Sequence, residues 1–245
     1  MQVYEEIKKN VKKALPEILA LRNTALKKPD GSYVTKGDLL VDQIVRETIL
    51  DIDAFALLIS EETYENKVVE LQNYLQPLHY ADHLPENIFV IDPIDGTENF
   101  TSGLPEWGVS ISRYSGEGQH IESMLWCPEM DRYLDTKMQY KSAGTNSRIA
   151  GISSSMRLAD LQKVTPGYEY RMFGCCVYSM LQTINGSFLS FENPKLTNSW
   201  DILAGLNLAL AAGLSVKVNG YNYTGEYLPH TEKYSFRIDN AKLHS

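Results

Sequence analysis

A chain of 245 residues with 43% hydrophobic side chains is long enough for one sizeable core or two tightly joined halves. Its formal net charge of −8 excludes a binder of nucleic-acid phosphates, which draws its affinity from clustered Lys and Arg. Three cysteines, Cys127, Cys175 and Cys176, are odd in number and lack a CxxC spacing, so no disulfide framework is expected and a reduced cytoplasm is the natural location.

Val3, Ile7, Val11, Leu15 and Ile18 recur at three- and four-residue spacing and predict an amphipathic helix over the first two dozen residues, kinked near Pro16. No apolar run has the length of a signal peptide core or a membrane span, so no membrane partner is expected. Pro-Asp-Gly turn chemistry in KKPDGSY breaks the helix. A second helix is predicted from about Asp38 to Asp53, burying Leu40, Ile44, Val45, Thr48 and Ile52. The short apolar runs AFALLIS and NIFVI predict buried strands, the first ending on Glu61 and Glu62 and the second on Asp92. Ligand sites in α/β sheets lie outside the carboxyl ends of strands, where these acids converge.

WGVSISRY, HIESMLWC and RYLDTKM predict successive antiparallel strands. A helix follows Gly174, SFLSFE is a strand, and Asp201 opens an apolar helix closed by Gly213. KYSFRIDN is strand-like, and no repeat or long linker divides the chain.

The segment DPIDGT, residues 92 to 97, carries the chemistry. As a bland turn it needs no function, since Asp-Pro and Asp-Gly are common turn dipeptides. As a site it offers a Mg²⁺ ion the oxygens it requires: the Asp92 and Asp95 carboxylates and a carbonyl such as that of Ile94. Pro93 is expected to stop the strand, and Gly96 and Thr97 to start a helix whose free N–H groups attract phosphate.

DPIDGTENF, with Asp38 in VTKGD, Glu61-Glu62 in SEET and Trp200-Asp201 in SWDILAG, resembles the signature of the inositol monophosphatase family of lithium-sensitive phosphatases. Four pieces in order span about two thirds of the chain. The resemblance implies a layered αβαβα sandwich of α/β class. An N-terminal half to residue 140 would hold most metal ligands, and a smaller half, 141 to 245, would supply Asp201 and the substrate wall. It implies two or three Mg²⁺ ions. Glu61, Asp92 and the Ile94 carbonyl would hold one, Asp92, Asp95 and Asp201 a second, and Glu61 would reach a weaker third. Asp38 and Thr97 would orient the attacking water, and Gly96 and Thr97 would bind phosphate. A small phosphorylated metabolite as substrate, lithium inhibition and a homodimer follow from the same resemblance.

Each role has a plainer alternative. Asp38 and Asp201 are also good helix N-caps. Glu62 is a support for Glu61 or a solvated strand end, and Trp200 is core packing behind the site. Cys175 and Cys176 stand where the family places small residues against the substrate alcohol, and buried free Cys is also simply a small hydrophobe. Arg171 matches an Arg near the substrate or pairs a surface carboxylate, and Glu192 is an offset match for the acid that grips inositol hydroxyls. LTNSWD also resembles the branch that acts on 3'-phosphoadenosine 5'-phosphate, and the stretch from 153 to 176 is short for the family. His79, His83, His120, His230 and His244 show no metal spacing. The aspartates are three apart, not two, which disfavours a haloacid-dehalogenase phosphatase. A non-catalytic metal-binding scaffold is the other rival.

Overall fold

Apolar stripes and turn residues arrange the chain around two sheets in a computed structural model that describes residues 2–28, 31–63, 85–138, 145–154, 156–164 and 168–240. Helix α1, Gln2–Ala20, contains Pro16 and buries Val3, Ile7, Val11 and Ile18. A short hairpin of β1 (Leu26–Lys27) and β2 (Tyr33–Val34) follows, turned by Gly31. Helix α2, Lys36–Ile52, begins earlier than predicted. Its cap is Thr35, whose hydroxyl accepts the N–H groups of Gly37 and Asp38, while the Asp38 carboxylate accepts the Thr35 N–H at 2.8 Å. Asp38 is thus the third helical residue of a capping box. That box sets the helix's rotational phase. The buried stripe runs through Asp38, Val41, Asp42, Val45, Thr48 and Ile49, whereas Leu40 and Ile44 are only partly buried and Ile52 is 48% exposed.

Strand β3, Leu57–Ser60, pairs parallel with β4, Asn87–Asp95, and the sheet continues antiparallel through β5 (Gly108–Ser115), β6 (His120–Cys127) and β7 (Arg132–Asp135). Along β4, Phe89 and Ile91 join the core beneath α1 and α2, and Val90 joins the core on the opposite face. A strand covered on both faces reads as a continuous apolar run, as NIFVI does. Pro93 does not end β4 as expected. The strand runs on to Asp95 through a register shift between Asp92 and Asp95, an irregularity that tolerates a missing donor.

The second sheet has the order β12-β11-β13-β10-β8-β9, formed by β8 (Ile149–Ile152), β9 (Glu169–Arg171), β10 (Ser190–Thr197), β11 (Ser215–Val218), β12 (Tyr221–Asn222) and β13 (Tyr234–Asp239). Between the sheets lie α5, Cys176–Ile184, and α6, Ser199–Ala211, their Val177, Met180, Leu203 and Leu206 packed with Val90 and Leu125 from one side and Phe191 and Ile238 from the other. Gly205 allows this pairing: a Cβ there would stand 1.8 Å from the Met180 sulfur. Helices α3, Thr97–Thr101, and α4, Leu158–Leu161, are short, and α4 is the one turn of helix that the described residues place in the crossover between parallel β8 and β9. The layered α/β architecture expected from the sequence is therefore present.

Helix α6 starts at Ser199 with Asn198 as its cap, so Asp201, like Asp38, is the acidic third residue of a capping box and not the cap. Both acids are held by the first turn of a helix. Among the described residues no helix is long and apolar enough to cross a membrane.

Candidate active site

The parallel register Ser60↔Ile91 sets Glu61, one step on, beside Asp92 at the same sheet edge. Asp201 reaches that edge from the start of α6. One carboxylate oxygen from each of Glu61, Asp92 and Asp201 lies within 4.8 Å of the others. Past the register shift Asp95 turns the same way, its Oδ2 accepting the Val177 N–H at 2.6 Å and the Cys175 thiol at 2.9 Å. Gly96 follows with φ +86, which spares it a Cβ that would meet Cys175, the Glu106 carbonyl and the Gly174 carbonyl. These residues line a cleft of about 340 Å³ with Ile94, Thr97, Cys175 and Cys176.

Behind the cleft wall Asp38 is 1% exposed. The Thr97 hydroxyl lies 3.2 Å from Asp38 Oδ1 and 3.2 Å from the Ile94 carbonyl, so the expected Asp38–Thr97 pair is in contact. Asp201 Oδ2 accepts the Asn198 N–H at 3.1 Å and the Thr197 hydroxyl. Asn99 holds the turn together from the side, donating to the carbonyls of Glu106 at 2.7 Å and Phe173 at 2.5 Å.

The electrostatics are adverse to bare carboxylates. Burial, then the Glu61, Asp95 and Asp201 charges, push the Asp92 carboxyl well above its usual range. Burial and Glu61 raise Asp201 to about 8. Asp95 is held up at about 6 by burial despite the Cys175 and Val177 hydrogen bonds. Burial likewise raises Asp38, against the Thr35 hydrogen bonds. Asp92 Oδ1 is buried and accepts no hydrogen bond. An orphaned oxygen among mutually repelling carboxylates, with no imidazole in the cluster, fits a hard, oxygen-seeking divalent cation.

One cation the sequence did not single out is already there. The Lys28 ammonium lies 2.9 Å from Glu61 Oε1 and 2.8 Å from Glu62 Oε1, its side chain 15% exposed. Glu62, raised to about 7 by burial and by Glu61, thus stands behind the cluster as a partner of Lys28. The β1–β2 hairpin brings Lys28 across 33 residues to Glu61, and KKPDGSY carries no local signal of that partner. Truncating one member of a largely buried ion pair costs more than the pair contributes. Lys28→Met is expected to lower the melting temperature in EDTA by about 4–8 °C, a loss of about 2 kcal/mol in a chain of this size. Differential scanning calorimetry with and without Mg²⁺ checks this, the deficit shrinking once the cation compensates Glu61.

The pH dependence of the metal-free protein follows with a definite sign. Asp95, Glu62 and Asp201 hold their protons up to about 6, 7 and 8, above the range of about 4 expected in the unfolded chain. The native state therefore binds more protons across this interval, and stability is lost as pH rises from about 4 to 8. Melting temperatures measured in EDTA at pH 5 and pH 8 are expected to fall with pH, and Mg²⁺ is expected to flatten that slope.

The remaining sequence-predicted residues separate into those at the cleft and those away from it. Trp200 is buried, its carbonyl accepting the Ser110 hydroxyl at 3.1 Å. Glu192 is buried against the Arg237 guanidinium at 3.0 Å, on the β10–β13 pair, and does not line the cleft. Arg171 is exposed, donating to the Tyr170 carbonyl at 2.8 Å, and is also not a lining residue. His120 and His230 pair with Ser123 and Tyr227, whereas His79, His83 and His244 lie outside the described residues. Besides Lys28, sequence reasoning passed over Ser153, Asn193, Lys195 and Thr197, which line the cleft from the second sheet.

Acids gathered at parallel strand ends, beside a turn that opens a helix, thus form one acidic site in a two-sheet layered α/β fold. The chain belongs to the inositol monophosphatase family, whose sequence profile matches residues 1–233. An inositol-1-monophosphatase of Rhizobium meliloti is 24% identical over 211 residues, 77% of this chain and 73% of that protein. An uncharacterised protein of Sinorhizobium fredii is 30% identical over 141 residues, 51% of this chain, and the match spans about half (50%) of that relative's length. Among solved structures, an IMPase/NADP phosphatase complexed with Mg²⁺ and phosphate superposes with a TM-score of 0.72 at 17% identity, covering 95% of this chain and 87% of the other.

Proposed function

We propose that the protein is a Mg²⁺-dependent phosphomonoesterase acting on a small phosphate monoester, inositol monophosphate or a related sugar phosphate, by direct attack of water. The observation that carries this reading is the convergence of Glu61, Asp92 and Asp201 beside the Asp38–Thr97 pair. Glu61, Asp92, Asp95, Asp201 and the Ile94 carbonyl would hold two or three Mg²⁺ ions. Bound there, the metal would lower the pKa of a water, polarise the phosphoryl group and offset charge on the leaving oxygen.

The chain's own residues divide the other tasks. The Thr97 hydroxyl, within reach of both Asp38 and the Ile94 carbonyl, would accept a hydrogen bond from the attacking water while giving its own proton to Asp38. Asp38, buried and carrying a raised pKa, is the proton acceptor behind it. The backbone N–H groups of Gly96 and Thr97, at the start of α3, would donate to the phosphate. Side-chain nucleophiles are disfavoured: the Cys175 thiol is committed to Asp95, burial pushes both the Cys175 and Cys176 thiols well above their usual range, and the Ser179 hydroxyl donates to the Cys175 carbonyl. These commitments favour water as the attacking group.

A homodimer, inhibition by Li⁺ at one weakly held cation position, and a reducing cytoplasmic location for the three free cysteines belong to the same reading. The test is phosphate release, with and without Mg²⁺, from inositol 1-phosphate, fructose 1,6-bisphosphate, 3'-phosphoadenosine 5'-phosphate, NADP and glycerol 2-phosphate. Metal-dependent turnover supports the reading and its ranking names the branch. No turnover on any of them would favour a metal-binding scaffold.

A further inference from the structure

Glu61 and Glu62 follow β3 at the acidic edge, and a cation is already seated between them. The Lys28 ammonium lies 2.9 Å from Glu61 Oε1 and 2.8 Å from Glu62 Oε1. Two carboxylate oxygens converge on it as they would on a metal ion. The side chain leaves a closed turn: the Lys28 N–H donates to the Ser32 carbonyl at 2.8 Å, the Lys28 carbonyl accepts the Gly31 N–H at 3.0 Å, and the Thr24 hydroxyl accepts the Lys36 N–H at 2.8 Å across the hairpin base. The root of the stem is thus fixed in place.

Glu61 divides its two oxygens. Oε1 accepts from Lys28, and the same carboxylate joins Asp92 and Asp201, with one oxygen of each acid within 4.8 Å of the others. A carboxylate links two cations through separate oxygens. With Oε1 held by the ammonium, the second oxygen serves one divalent ion beside Asp92 and Asp201, while Glu62 Oε1 is committed to Lys28.

We propose that Lys28 is a tethered cation filling a cation position between Glu61 and Glu62, so that the wild type binds one divalent ion fewer than a variant lacking that charge. The proposal rests on the metal-site reading above and narrows its ion count. Without the ammonium, the Glu61 and Glu62 carboxylates would offer their oxygens to a hard divalent cation, with water completing its coordination. Beside the ammonium a dication is excluded, because like charges a few ångströms apart in a poorly screened site repel strongly. A charge on the chain also holds its position at any Mg²⁺ concentration.

Mn²⁺, which shares the preference of Mg²⁺ for carboxylate and water oxygens, counts the positions by electron paramagnetic resonance of the unbound ion. Lys28→Gln is expected to bind about one Mn²⁺ ion more per chain than the wild type, and Lys28→Arg to match the wild type. Adding Glu62→Gln to Lys28→Gln is expected to remove the extra ion. Equal counts in the wild type and Lys28→Gln would overturn the proposal and leave the triad as an ion pair that only stabilises the hairpin. A second measurement needs no variant. Limited acetylation of the wild type, read at Lys28 by peptide mass spectrometry, is expected to rise by less than about twofold from EDTA to saturating Mg²⁺. A larger rise would mean that the metal ion displaces the ammonium, and would overturn the proposal. Neither readout requires turnover. No phosphate release, together with an extra ion in Lys28→Gln, would end the phosphatase reading and keep the tethered cation.

Discussion

Asp92→Asn is expected to lower Mg²⁺-dependent phosphate release by about 10³-fold or more, or about 4 kcal/mol of transition-state stabilisation. Asp92 is 1% exposed at the centre of the cluster, its Oδ1 without a hydrogen-bond donor, and its carboxyl is pushed up by burial and by Glu61, Asp95 and Asp201. Asn has the same shape and removes one charge, so the fold is kept while an oxygen ligand is weakened. The same substitution relieves repulsion among the acids. In EDTA the variant is therefore expected to melt no lower than the wild type, and to gain less stability than the wild type when Mg²⁺ is added. Malachite-green assays and calorimetry on one preparation would show both effects. Activity retained within about tenfold would remove Asp92 from the centre of the chemistry, and a collapse of stability in EDTA would make its role structural.

The second large effect belongs to Asp38→Asn, for which kcat is expected to fall by about 10²–10³-fold with KM changed by less than about threefold. Asp38 contacts the Thr97 hydroxyl at 3.2 Å and is set behind the cleft-lining residues, so in the proposed reaction it would act on water and not on substrate binding. Its capping role survives in the variant, because the amide oxygen of Asn still accepts the Thr35 N–H. Steady-state kinetics on the best substrate of the panel, with circular dichroism to verify the helix, would decide. An unchanged kcat would show that the water is oriented without the Asp38–Thr97 pair.

Much of the site was legible in the sequence because it is built from local devices. Two apolar runs ending in acids became adjacent parallel strands, and the DPIDGT turn leads into α3 as its Gly-Thr pair suggested. The misses share a cause. The start and phase of α2 depend on Thr35 closing a capping box with Asp38, a three-residue relation that outranks the simple count of apolar positions and turns Val41 and Ile49 inward while Ile52 stays out. Pro93 looked like a strand end because it lacks an N–H, but a register shift against β5 absorbs that loss. Glu192 looked like a substrate contact from its distance to Trp200 along the chain, and β13, arriving from over forty residues later, takes it with Arg237 (|i−j| = 45).

By itself the sequence determined the class of element at nearly every step and the acids that meet at the strand ends, since periodicity, turn chemistry and a single short motif are local properties. Only the tertiary structure decided that Lys28 stands among those acids, that Lys195 and not Glu192 lines the cleft, and that Cys175 is bound to Asp95. Those contacts join residues 33 or more positions apart, or depend on which side of a strand meets the cleft, and both are settled by how the sheets and helices pack.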